Sequence, residues 1–299
     1  MKHRFIINML ALALSFILVI GGACSCGSGK AAIQVEQQGT SFVWKVTSDT
    51  THVYLLGSVH VASQDLYPLN STIENAFESA DYLVVEVNTN NLSQDSVGQL
   101  VMQYGAYPIG DGFEKHVMED LYNQLKGKFQ EYSINIALLD NYRPWVIYNV
   151  MSQFILESLG YKIEYGIDQY FLEKAKNSNK NILELETMEH QLALMSSIPD
   201  ETTLKMMQYD IENPETGDYL QGLFDAWKNG DVAKMEDVAF SAFGEEPELA
   251  PYYEIVYAQR NVKMAQKIKE YLSGNKTYFI VVGAGHLVGE DGILNLLKN

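Results

Sequence analysis

The chain has 299 residues, 47% hydrophobic and 20% charged, with 21 basic against 38 acidic side chains and a formal charge of −17. That length and composition suit a packed globular body and exclude a collagenous or low-complexity chain. So acidic a surface disfavours nucleic acid and anionic lipid headgroups as partners, and it is compatible with cationic substrates or divalent metals.

The first segment stands apart. Lys2 and Arg4 form a basic start, residues 5–20 are almost wholly apolar, and Gly21, Gly22 and Ala23 precede Cys24. This order reads as an export signal over 1–23. The small residues before Cys24 resemble a bacterial lipobox, although Gly21 stands where leucine is usual. The resemblance implies lipidation of Cys24, a lipidated tether over 24–40, and a location in the bacterial cell envelope with the membrane reached through the lipid. Cys24 and Cys26 are the only cysteines, so the body beyond them has no disulfide and no thiolate ligand. No later run is long and apolar enough to span a bilayer.

One domain is expected over 41–299. Residues 41–46 alternate as a first strand, and 53–56 return as a second after the turn at 48–51, as a hairpin. The second run ends in Gly57-Ser58-Val59-His60. Asn70 is a suitable N-cap for a helix over 71–79, and a strand over 83–87 follows with Glu86 near its end. A carboxylate in an apolar strand is costly unless it is paired or bound to a cation. Residues 92–139 are mostly helical in pattern. Pro144 is expected in the first turn of a helix over 145–158, with Arg143 as a buried anchor or a cap. Asp168 is expected to cap a helix over 169–176. A strand over 182–186 carries Glu186 at its end. A helical insertion is expected over about 195–245, where Met206, Met207, Leu220, Leu223, Phe224, Trp227 and Met235 fall at helix-face spacing and read as core. A long helix over 253–272 contains Arg260. The apolar run Phe279-Ile280-Val281-Val282 then ends in Gly283-Ala284-Gly285-His286, repeating the earlier design.

The expected fold is therefore α/β (α+β): a central mixed sheet with duplicated strand–GxxH–helix units, flanked by helices, plus a helical insertion. Gly57 and Gly283 are the structural turns, since glycine lets the backbone bend sharply or approach another group closely. The histidines stand at carboxyl ends of strands, where open α/β sheets place ligand sites. His60, His286 and Glu86 are candidate ligands for a divalent metal, Mn²⁺, Co²⁺ or Zn²⁺. A remaining carboxylate is a candidate general base. His-Glu-x-x-His, Gly-x-Ser-x-Gly, phosphate-loop and dinucleotide motifs are absent.

Taken in order, LLGSVH (55–60), VVEVN (84–88), YRPW (142–145), YGIDQYF (165–171), LELETMEHQL (183–192), QRN (259–261) and VVGAGHLVGEDGILNLL (281–297) resemble the TraB/GumN family. That family includes bacterial pheromone-shutdown proteins and the animal Tiki proteases. The resemblance spans about 42–299. It implies metal-dependent peptidase activity of the Tiki kind, with His60, His286 and Glu86 at the active site. Arg260 matches the family's late-helix arginine, which would hold a carboxylate or stabilise an oxyanion. Glu186 matches its LE element. The function expected is a metal-dependent, peptidase-like hydrolase of peptides or protein N-termini outside the cytoplasm. The alternative is a surface lipoprotein that sequesters a peptide without turnover, and a third possibility is a purely structural metal.

Overall fold

The structure is a computed structural model that describes residues 33–212 and 216–298. The expected signal over 1–23 and the lipidation site at Cys24 lie outside the described residues. Among the described residues six strands form one sheet: β1 (Gln34–Gln37), β2 (Val43–Thr47), β3 (His52–Ser58), β4 (Tyr82–Val85), β5 (Asn181–Glu184) and β6 (Tyr278–Gly283). Their order across the sheet is β1-β2-β3-β6-β4-β5. The first three pair antiparallel, and β3, β6, β4 and β5 pair parallel. The mixed sheet expected from the sequence is thus present.

β1 is a correction. Gln34–Gln37 fell within the expected tether, yet it is an edge strand with Val35 opposite Val46. Its sequence, QVEQ, holds a single apolar residue, so it carries no alternating pattern to read. The β2–β3 hairpin matches expectation.

The two strands ending in G-x-x-H lie side by side, with Leu56 opposite Val281 and Ser58 opposite Gly283. Leu55, Leu56, Ile280 and Val281 are fully buried. Each such side chain contributes about 1.5–3 kcal/mol on burial. Gly57 is required for space: a Cβ there would stand 2.5 Å from Phe42 Cδ1 and 3.0 Å from Ala284 Cα. The duplication ends with the strands. One helical turn, Ala284–Leu287, follows β6 and carries His286, whereas His60 lies in chain that bridges through Ala62 to Lys162.

The helices in chain order are α1 (Ser71–Ser79), α2 (Gln94–Gly105), α3 (Glu119–Glu131), α4 (Pro144–Ser158), α5 (Ile167–Asn177), α6 (Met188–Met195), α7 (Asp200–Glu212), α8 (Thr216–Asn229), α9 (Val232–Glu245), α10 (Ala250–Tyr253), α11 (Gln259–Leu272), α12 (Ala284–Leu287) and α13 (Ile293–Lys298). Asn70 caps α1 by accepting from Thr72 N, and Pro144 opens α4. Gly166 is the N-cap residue of α5 instead of Asp168, which sits inside the first turn. The expected helix over 253–272 is interrupted by a π-helical turn, Glu254–Ala258.

Two buried cores result. One lies on the sheet and takes in Leu220, Leu223, Phe224, Trp227 and Met235 of the insertion. The other is purely helical, between α3, α4, α7 and α10, and holds Met206 and Met207. Trp227 Nε1 donates to Gly57 O at 2.6 Å, which ties α8 to the end of β3. No helix among the described residues is long and apolar enough to cross a membrane.

Candidate functional site

Strand ends converge at the carboxyl edge of the parallel strands, where open α/β sheets bind ligands. His60 follows β3, Glu86 follows β4, Glu186 follows β5 and His286 follows β6. Beyond the strands proper, Leu185 N donates to Val85 O and Glu186 N to Glu86 O, both at 2.9 Å. This continued pairing holds the two buried glutamates side by side.

Arg260, on α11, is fully buried and joins three of these ends. Its Nη2 donates to Glu86 Oε2 at 2.6 Å and to Glu186 Oε2 at 2.5 Å, and its Nε donates to both Glu186 oxygens at 3.1 Å. Its Nη1 donates to His286 Nε2 at 2.5 Å. A guanidinium only donates, so His286 Nε2 accepts, and its Nδ1–H donates to Asn261 Oδ1 at 2.7 Å. Burial, then the charge of Arg260, lowers the His286 pKa to about 3. Its ring is therefore neutral, and the 3.8 Å approach to Glu86 Oε1 is not an ion pair at neutral pH. Burial is the largest single influence on Glu86 and pushes it upward, but Arg260, the two histidines and the Gly283 N–H together outweigh it and hold the carboxyl below its usual range. Glu186 goes the other way, raised by burial with help from Glu86 and only partly offset by Arg260.

His60 is built differently. Its Nδ1 bonds Asp168 Oδ2 at 2.6 Å, and Ser58 Oγ donates to the other Asp168 oxygen at 2.9 Å. Its Nε2 is buried and has no hydrogen-bond partner. Burial opposes protonation of this ring, but the charge and hydrogen bond of Asp168 and the charge of Glu86 raise its pKa to about 9.

Gly283 is the common neighbour. Its N–H donates to Glu86 Oε1 at 2.7 Å. A Cβ built on it would stand 3.1 Å from His60 Nε2, 3.5 Å from Glu86 Oε1 and 3.5 Å from His286 Cδ2. The glycine thus leaves a cradle between an imidazole nitrogen and a carboxylate oxygen. This donor chemistry fits a divalent cation at His60 and Glu86, with Asp168 orienting the imidazole as outer carboxylates do in metal sites. Charge agrees: once a cation displaces the His60 proton, the carboxylates of Glu86, Glu186 and Asp168 against Arg260 leave two formal negative charges. His286 fits on one condition, that Arg260 releases its ring nitrogen. Among the described residues no group of three or more His, Cys, Asp or Glu stands ready to hold a metal.

Residues 42–299 match the TraB/PrgY/gumN family. The chain belongs to this family. It is 26% identical over 266 residues to uncharacterized protein YbaP of Escherichia coli (strain K12), covering 87% of this chain and 95% of that one. It is 21% identical over 313 residues to metalloprotease TIKI1 of Danio rerio, and 23% identical over 324 residues to a metalloprotease TIKI homolog of Nematostella vectensis. Each match takes in 86% of this chain but only 61% and 65% of those relatives. No solved structure matches it.

In this TraB/PrgY/gumN chain the structure brings together every site residue read from sequence: the strand-end residues His60, Glu86, Glu186 and His286, and Arg260 of the late helix. It also adds residues given no site role. Asp168 reads locally as a helix cap, and only its long-range contact shows that it holds His60. Asn261 fixes the His286 tautomer from the position after Arg260. Gln191 Nε2 lies 3.4 Å from Glu86 Oε2 and 3.2 Å from Glu186 Oε2, bridging the glutamates. Tyr257, in the π-helical turn, lies with its ring 5.3 Å from that of His286 and borders a cavity with His60 and Gly283. Such turns recur at functional sites, and this one leads directly into the QRN segment. His60, Glu86, Asp168 and Gln191 line a further cavity of about 180 Å³, the mouth of the site.

Proposed function

We propose that this protein is a metal-dependent hydrolase of peptides or protein N-termini, anchored through Cys24 and acting outside the cytoplasm. The observation that carries the reading is the buried, unpartnered Nε2 of His60, fixed from behind by Asp168 and facing Glu86 across Gly283. The family's TIKI members, named metalloproteases, support it.

His60, Glu86 and His286 would hold the cation, of the Mn²⁺, Co²⁺ or Zn²⁺ kind, with His286 released by Arg260. Such a cation supplies Lewis acidity toward a peptide carbonyl and a water. Asp168 keeps the His60 Nε2 lone pair aimed at the cradle. Glu186, whose proton affinity burial raises, takes the proton from the attacking water and passes it to the leaving amine. Arg260 holds both glutamates and keeps Glu86 ionised. Its Nε and Nη2 stay engaged with the glutamates, so the donors left for an oxyanion are the Nη1 that His286 gives up and the Tyr257 hydroxyl, which burial keeps protonated.

A second reading is supported by the Arg260–His286 bond, which occupies the third ligand's lone pair. In that reading the cleft binds a peptide and never turns it over. The test uses the full-length protein and His60→Ala, both purified without added metal. Mn²⁺, Co²⁺ and Zn²⁺ are titrated by calorimetry, and a synthetic peptide mixture is followed by mass spectrometry with and without chelator. The hydrolase reading expects an ion bound by wild type and lost in a folded His60→Ala, with chelator-sensitive products. Peptide binding with neither ion nor product establishes the sequestering reading.

A further inference from the structure

Beside the site lies a cavity of about 360 Å³ that the proposed chemistry leaves unused. One wall is a single face of α4, at positions 146, 149, 150, 153, 156 and 157, three or four residues apart. The opposite wall includes Val61, Tyr161, Ile163 and Leu192. The surface is mostly apolar, with Asn149, Gln153 and Glu157 among its polar members.

Its relation to His60 is direct. His60 borders the mouth that contains Glu86, and its neighbour Val61 borders the apolar cavity. Ile163 lines both, and it is 53% exposed, a large apolar side chain on the lip between them. The segment is fixed there by the Ala62–Lys162 bridge, with Ala62 N donating to Lys162 O at 3.1 Å and Lys162 N to Ala62 O at 2.8 Å. One residue of extended chain advances about 3.3 Å, so a peptide bond at His60 has its neighbouring side chain within reach of this cavity.

Resting on the hydrolase reading for the position of the bond, we infer that the cavity is the subsite for a bulky apolar side chain, aromatic or long aliphatic, flanking that bond. A volume of this size lies in the range of small-ligand pockets, whose apolar walls supply affinity and whose few polar groups supply orientation. Asn149 Nδ2 donates to Trp145 O at 2.9 Å and Gln153 Nε2 to Glu157 Oε1 at 2.8 Å, which leaves each amide its carbonyl oxygen and second N–H for a peptide backbone. Glu157 on the same face disfavours an acidic residue.

The test is made on full-length protein without metal, so that it does not depend on turnover. The probes are hexapeptide amides, alanine throughout except for Phe, Leu or Asp placed at each position in turn, with the all-alanine peptide as reference. Binding is measured by calorimetry. At one position Phe and Leu peptides should bind about 10- to 100-fold tighter than the reference, and the Asp peptide no tighter. Val150→Trp fills the cavity and should abolish that preference while leaving the reference affinity unchanged. Val101→Phe, on the α2 side of the same cavity, gives the same result where Val150→Trp lowers the melting temperature. No preference at any position, or a preference that survives a folded cavity-filling variant, overturns the subsite. The same peptides are then followed by mass spectrometry with Mn²⁺, Co²⁺ or Zn²⁺ added. Cleavage by a protein that shows no preference removes this inference alone. Preference with no cleavage under any of the ions removes the hydrolase chemistry and leaves the subsite as a peptide-binding pocket.

Discussion

Gly283 has φ −51° and ψ 138°, a conformation open to any L-residue, so its missing side chain matters for space alone. Gly283→Ala should fold with an unfolding midpoint near that of wild type, because the added methyl meets only side-chain atoms at 3.1 Å or more. The methyl sits in the cradle of His60 and Glu86, so calorimetry should show divalent-ion affinity reduced by roughly tenfold or more. Asp210 offers a separate test in the helical core. Its Oδ2 accepts from Tyr148 at 2.6 Å, and its Oδ1 is buried without a partner. Burial raises its pKa well above the usual value. The unfolded chain therefore releases this proton first as pH rises, and stability falls with pH from about 4 up to the folded pKa. Asp210→Asn should unfold at a higher temperature than wild type at pH 7. Thermal melts across pH should show that advantage shrinking to nothing below about pH 4.

Among the elements, α11 and α5 carry the site's support. Arg260→Met would leave Glu86 and Glu186 buried and unpaired, a loss of about 3–5 kcal/mol. Calorimetric melting should show a midpoint lower by roughly 6–20 °C for a domain of this size. Replacing both glutamates with glutamine in the same chain should recover most of it. Gly166, the cap of α5, lies so close to the preceding strand end that a Cβ would sit 2.2 Å from His60 O. Gly166→Ala must push α5 away and loosen Asp168 from His60. Asp168 is what raises the ring, so an NMR titration should find the His60 pKa moved down from about 9 toward 6.5. These elements also mark where the sequence is legible. Asn70 and Pro144 announce their helices through contacts a few residues long, and the G-x-x-H strands announce themselves by repetition. Asp168 does not, because its partner is 108 residues away and its local setting is that of any acidic first turn. β1 does not, because an edge strand needs few apolar residues. The π-helical turn leaves the apolar spacing of 253–272 nearly that of a plain helix.

At the scale of the whole molecule, β6 lies in the middle of the sheet, between β3 and β4, although it follows every other strand in sequence. A chain ending after residue 277 has the β1–β2–β3 meander and the β4–β5 pair with no strand between them to close the sheet. Such a chain should lack the cooperative melting of the full protein in calorimetry. The acidic balance acts at this scale too, as a solubilising surface of the same sign as the site it surrounds.

The lateness of β6 also governs the order of events during synthesis. Until residues 278–283 leave the ribosome, β3 and β4 each present a bare edge to solvent, and those edges are templates for association with other chains. A chaperone would have to cover them for nearly the whole period of translation. On our proposal that the protein acts outside the cytoplasm, the delay would have a use. A precursor that cannot close its sheet remains threadable, and a narrow translocation channel accepts only an extended polypeptide.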